Sequence, residues 1–138
     1  MKKPTIEQVV ALLTGEYGVR NCKSTNRPLD VLVETILSQN TSDTNSGRAF
    51  KSLKAAFHDW EAVADAPAGA IAESIRVGGL AQIKSKRIKQ VLGEIRQARG
   101  RIELDFLNEL PIDEARDWLR RLPGVGDKTA NCVLLFAF

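Results

Sequence analysis

Apolar residues recur along this chain at the 3.6-residue spacing of helices, with almost none of the alternation that strands require. Ile6, Val9, Val10 and Leu13 form one stripe, and Thr5 with Gln8 stands where a capping box would open it. Leu29, Leu32, Val33, Ile36 and Leu37 form a second, entered through Pro28, a residue suited to a first helical turn. Ala49, Leu53, Ala56 and Phe57 form a third, with Ser42 or Asp43 as its cap. Shorter helices are predicted over 60–64 and 68–76, after which Gly78 and Gly79 break the chain. Ile88, Val91, Leu92 and Ile95 form the next stripe, ended by Gly100. Ala115, Trp118, Leu119 and Leu122 follow. Segment 101–104 is the only strand candidate. No internal repeat or low-complexity segment interrupts this pattern, which predicts an all-α domain with short connections.

The last segment breaks the amphipathic rule. Ala130, Cys132, Val133, Leu134, Leu135, Phe136, Ala137 and Phe138 predict a helix that is apolar on all sides, hence fully buried. A terminal carboxylate on such a helix is costly unless it reaches solvent. The expectation is therefore part of a longer protein; the alternative is a short native terminus.

A length of 138 residues suits one domain with its own core. Hydrophobic residues make up 43% and charged residues 27%, as in soluble globular proteins. No apolar run approaches membrane-spanning length, so no membrane partner is expected. Met1-Lys-Lys-Pro4 runs straight into the first stripe, unlike a signal peptide. Cys22 and Cys132 are far apart and lack metal-ligand spacing; Cys132 is expected to be a buried free thiol. These features predict no metal site and a reducing, cytoplasmic setting. The lone His58 carries no signal. Net charge is +3 but uneven: Lys84, Lys86, Arg87, Lys89, Arg96, Arg99 and Arg101 face a single acid, Glu94, within one segment. Such a cluster is either a solvated helix face or a surface turned toward nucleic acid.

The stretch Leu122-Pro-Gly-Val-Gly-Asp-Lys-Thr-Ala130 decides between them. It joins two predicted helices through a short hairpin with two glycines. Gly124 and Gly126 are expected to permit positive φ and close backbone approach. The N–H groups of Gly124, Val125 and Gly126, with the helix dipole behind them, would face an anion such as a DNA phosphate. A helix cap without ligand is the bland alternative.

The hairpin resembles the helix-hairpin-helix motif of DNA-binding proteins, which grips one strand without reading sequence. Upstream lie Leu32-Val-Glu-Thr-Ile-Leu-Ser-Gln-Asn-Thr-Ser-Asp43 and Gly79-Leu80 before the basic helix. In this order, the three motifs are similar to those of the endonuclease III-like DNA glycosylases, over about residues 5 to 138. The resemblance implies a helical barrel domain, here 28–138 with the hairpin unit at 113–138, and a second helical domain to which segment 1–27 belongs. It implies base excision from damaged or abasic double-stranded DNA, with nucleoid association.

Residue by residue, Lys128 matches the lysine nucleophile of the bifunctional members. Its amine would attack the sugar C1′, displace the base, form a Schiff base and permit β-elimination on the 3′ side. Burial and nearby positive charge would help the amine lose its proton. A phosphate-contacting or plain surface lysine is the alternative. Asn40 falls where the family inserts a side chain, usually glutamine, into the stack left by a flipped base; neighbouring Gln39 could serve instead. Both could also simply end a helix. Leu122, Thr129 and Lys84 complete the expected DNA-facing set. The lysine favours the branch acting on damaged pyrimidines. The family's aspartate would fall beyond Phe138, and many members hold a [4Fe–4S] cluster on four late cysteines. Neither is present in this chain, so no cofactor is expected within it. Two readings follow: the barrel half of a glycosylase and AP lyase, or a non-catalytic helix-hairpin-helix DNA-binding module or inactive shortened relative. A protein-interaction domain would leave the glycines and Lys128 unexplained.

Overall fold

The computed structural model describes residues 3, 5–17 and 27–137, with side chains omitted for 13–17. Cys22, Phe138 and the side chain of Leu13 lie outside the described residues.

Helix α1 (Ile6–Tyr17) opens with the expected capping box. The Thr5 N–H donates to Gln8 Oε1 at 2.9 Å and the Gln8 N–H donates to Thr5 Oγ1 at 3.2 Å. Its apolar stripe is nevertheless exposed at Ile6, Val9 and Val10, and so is the neighbouring Leu12.

Helix α2 (Pro28–Ser38) is the axis of the body. Leu32, Val33, Ile36 and Leu37 are all but inaccessible to solvent, as their spacing predicts. It packs on α3 (Asp43–Ala56) and on the last helix, α8 (Asp127–Ala137). Ser42, not Asp43, caps α3, its hydroxyl accepting from the Asn45 N–H at 3.2 Å. Ala56, expected on the buried stripe, is exposed: α3 ends there, and half-buried Phe57 meets the core instead.

Two short helices follow, α4 (Trp60–Asp65) and α5 (Ala68–Ser74). The predicted helix over 68–76 stops early and tightens into a 3₁₀ turn at Arg76–Gly78. Helix α6 (Ala81–Arg99) buries Ile88, Val91, Leu92 and Ile95, then ends at Gly100 with φ +76°. Segment 101–104 is a bend, not a strand, and no strand occurs among the described residues. The Glu61 carboxylate accepts the Ile102 N–H at 3.1 Å and takes the place of a strand partner. A 3₁₀ turn at Asp105–Glu109, which no periodicity announced, leads to α7 (Ile112–Arg120). There Phe106 meets Trp118 edge-on at 4.9 Å, while the Arg99 guanidinium lies 3.9 Å above the Phe106 ring. These aromatic and cation–π contacts fix the start of the hairpin unit against the end of α6.

The last helix departs from its prediction. Thr129, Ala130 and Val133 are buried, but Leu135 and Phe136 are 72% and 55% exposed. Only the side of α8 that meets α2 and α7 finds cover among the described residues. Cys132 is a free thiol but only half-buried, because its side of the helix points away from that contact.

Candidate nucleic-acid interface

The hairpin begins with two short turns. The Leu122 N–H donates to the Leu119 carbonyl, and the Val125 N–H donates to the Leu122 carbonyl, both at 3.1 Å. Leu122 and Val125 bury their side chains in the core. These two residues therefore anchor the hairpin; they do not present it. The expected phosphate-facing N–H of Val125 is already spent inside the turn, and buried Leu122 offers no surface to DNA.

Gly124 sits between them with φ +74°, a value ordinary side chains reach only with strain. It has a second constraint. A Cβ there would fall 2.8 Å from Cζ and Nε of Arg87 on α6, so the guanidinium fills the volume that a side chain would need. Gly126 differs from expectation: its φ is not positive and a Cβ would meet nothing within 4 Å. Its role is positional. Its carbonyl accepts the first bond of α8, from the Ala130 N–H at 3.0 Å, so it is the N-cap, and it has no side chain to cap with. The N–H groups of Gly124, Gly126, Asp127, Lys128 and Thr129 consequently have no hydrogen-bond partner among the described residues. Four consecutive donors at a helix N-terminus, backed by its dipole, form an anion-binding fan. Thr129 contributes its N–H; its side chain is buried.

One ion pair and one side-chain hydrogen bond lace the two hairpin helices together. Arg120 Nε lies 2.9 Å from Asp127 Oδ1, and Arg116 Nε donates to Asn131 Oδ1 at 3.0 Å. The first pair matters electrostatically, because it sets a guanidinium against the Asp127 carboxylate at the mouth of the fan. Lys128, at the second position of α8, is exposed and has no hydrogen bond or ion pair among the described residues.

The basic segment on α6 requires the main correction. Lys84, expected to touch DNA, is 4% exposed. Its Nζ donates to the carbonyls of Leu37 at 2.8 Å and Gly78 at 3.2 Å. Burial pushes its pKa down from the ordinary lysine value. Lys89 does the same for α4, donating to the carbonyls of Ala64 and Ala66, each at 2.7 Å. Both satisfy carbonyls that helix ends leave open. Arg96 pairs with Glu61 and Asp65 at 3.0 and 2.9 Å, and the Asp65 hydrogen bond first, then the two carboxylate charges, hold its pKa up. Arg99 and Arg101 share Glu103. Of the seven basic residues, only Lys86 and Arg87 lack such partners among the described residues, and Arg87 lies on the hairpin.

Gln39 and Asn40 both stand exposed beyond the end of α2. Asn40 has φ +56°. Asparagine tolerates this region better than most residues. Leu80, which the sequence offered only within the Gly79-Leu80 motif and not as a site residue, is half exposed with φ +51°, which is rare for a bulky residue. Asn40 and Leu80 are the non-glycine residues with positive φ among the described ones. The first turns of α6 relate all three loops: Lys84 reaches the loops before Asn40 and Leu80, and Arg87 reaches the hairpin.

Two helices joined by a tight glycine hairpin, with open N–H donors at the start of the second, on an all-helical body, define a helix-hairpin-helix domain. The chain belongs to the HhH-GPD superfamily of base excision DNA repair proteins, whose family model matches residues 33–129. It is 46% identical over 108 residues to an Arabidopsis thaliana protein provisionally described as a DNA glycosylase, covering 78% of this chain and 37% of that one. It is 34% identical over 119 residues to endonuclease III of Sulfolobus acidocaldarius, covering 85% of this chain and 51% of that one. The chain thus spans about half or less of these relatives' lengths. A solved structure of a trapped endonuclease III–DNA covalent intermediate superposes with a TM-score of 0.67 at 25% identity, over 99% of this chain and 62% of that one.

Proposed function

We propose that this chain is the DNA-gripping barrel half of a base-excision DNA glycosylase with AP-lyase chemistry, acting on damaged pyrimidines or abasic sites in duplex DNA. The observation that carries the reading is Lys128. It is exposed and unpartnered among the described residues, on the first turn whose N–H groups form the anion fan. A phosphate seated on that fan would bring a sugar within reach of Nζ. At an abasic site the neutral amine condenses with the C1′ aldehyde and releases water. Loss of a C2′ proton then breaks the C3′–O bond. With an intact nucleotide, attack at C1′ expels the base first.

Base flipping would need side chains that enter the stack. Asn40, with Gln39 beside it, and Leu80 as an apolar wedge, would fill that role; their exposure supports it. Damaged double-stranded DNA is the partner in this reading, and a nucleoid-associated location follows from it. A second reading, a helix-hairpin-helix module without catalysis, is favoured by one observation: Lys128 lies at the surface, without the burial that a lyase amine uses to lose its proton.

A borohydride trap separates the two. The chain and its Lys128→Ala variant are mixed with duplex DNA carrying one abasic site, then reduced. A covalent adduct in the parent alone supports the lyase. No adduct in either, with salt-dependent binding in both, leaves only the binding module.

A further inference from the structure

We propose that Lys84 is a positioning residue that locks the Asn40 loop and the Leu80 loop into one unit, so that both enter DNA together. The inference rests on the DNA-binding reading above but uses a different part of the molecule. The single buried Nζ binds the Leu37 carbonyl, three residues before Asn40, and the Gly78 carbonyl, two residues before Leu80. These are the loops that hold the two non-glycine residues with positive φ among the described ones.

Holding a residue in the left-handed region costs on the order of 1 kcal/mol, so each loop would relax if it were not tied down. Local hydrogen bonds at the Asn40 loop are long: the Gln39 N–H reaches Ile36 and the Thr41 N–H reaches Ser38, both at 3.3 Å. At the Leu80 loop the Gly78 N–H reaches Ile75 at 3.0 Å, the Gly79 N–H reaches Arg76 at 3.2 Å, and the Leu80 carbonyl accepts the Lys84 N–H at 2.9 Å, so the main chain of Lys84 holds this loop as well as its side chain. The Asn40 and Leu80 N–H groups themselves have no partner among the described residues. Lys84 lies on the first turn of α6, a rigid helix whose next turn carries Arg87 against the hairpin. The clamp therefore sets both loops relative to the phosphate fan. A surface lysine would neither be this buried nor face two carbonyls from different parts of the chain.

The test uses the full chain and two duplexes, one intact and one with a tetrahydrofuran abasic analogue opposite 2-aminopurine. The parent should prefer the abasic duplex and raise 2-aminopurine fluorescence as the stack is entered. Lys84→Met should bind the intact duplex like the parent, yet lose that preference by roughly tenfold together with the fluorescence rise. A Met variant that keeps both overturns the proposal. So does a parent that binds intact DNA without any fluorescence change. If the parent binds neither duplex at low salt, the DNA-binding reading itself fails, which is a separate result. Should Lys84→Met not fold, Asn40→Ala and Leu80→Ala are made singly and together in the parent. Locked loops predict that the second substitution costs much less than the first, whereas independent, additive losses overturn the clamp.

Discussion

Helices α6 and α8 both carry lysines near their N-termini, and both stood out in the sequence as surfaces for nucleic acid. They use their charges in opposite ways. On α6, Lys84 and Lys89 turn inward and satisfy the carbonyl ends of α2 and of the α4 segment, while Arg96, Arg99 and Arg101 pair with carboxylates. On α8, the donors are main-chain N–H groups left open by a glycine cap, and Lys128 stays free beside them among the described residues. A high local count of cations thus marks scaffold, and a region with modest charge marks the anion site. The difference arises because a buried helix end must find a donor, whereas an exposed one can wait for a ligand.

The largest effect that would sharpen this contrast is at Gly126. Its backbone is unstrained and the space around it is open, so Gly126→Asp should fold. The new carboxylate would cap α8 and raise stability by about a few tenths of a kcal/mol, the difference between aspartate and glycine at an N-cap. It would also occupy the fan and repel phosphate, weakening DNA affinity by more than about tenfold. Urea unfolding and a gel shift on one preparation check both signs. Stability up with affinity unchanged would remove the fan from the DNA interface.

The next contrast lies within α6 itself. Lys89→Met should cost about 1–2 kcal/mol of stability through two lost carbonyl caps, and leave the salt dependence of DNA binding alone. Lys86→Ala should do the reverse: stability held, and the slope of log affinity against log salt reduced by about one. If the two variants exchanged these phenotypes, the division of α6 into scaffold and surface would collapse.

The smallest expected effect is a pH dependence. Lys84 has its pKa lowered by burial, so the native state releases this proton at lower pH than the unfolded chain does. Between the lowered value and the ordinary 10.5 the unfolded chain binds more protons, and stability rises with pH in that window. As pH falls through the lowered value that gain is lost. Urea midpoints should climb toward alkaline pH in the parent and be flatter in Lys84→Met; equal slopes would assign the effect elsewhere.

Most helices could be read from sequence because their burial follows local periodicity: the stripes of α2 and α6 are the core, and the Thr5–Gln8 box forms as spaced. The hairpin was legible for the same reason, since its glycines and its helix start are neighbours. What escaped depends on distant contacts. Nothing near Lys84 says that the end of α2 will arrive beside it, 47 residues away in sequence. Nothing near Gly124 says that Arg87 will occupy its side-chain volume. Leu80 stood in a recognised motif, but nothing near it announced its left-handed backbone. The apolar run of α8 overstated burial, because hydrophobicity measures demand for cover and does not report whether the described residues supply it.

The open fan of α8 belongs to the main chain, and that has a consequence for how the domain can vary. An alanine scan across 124–129 would delete no donor, so it could pass over this part of the grip while scoring its neighbours. Gly124 cannot drift, because a Cβ there would strike the Arg87 guanidinium, and a carboxylate at Gly126 would fill the fan. At Asp127 and Lys128, only proline erases a donor, and at the first position of a helix it does so without unwinding it. Side-chain divergence at those two exposed positions therefore leaves the donors in place, whereas a single inserted or deleted residue would rotate the fan.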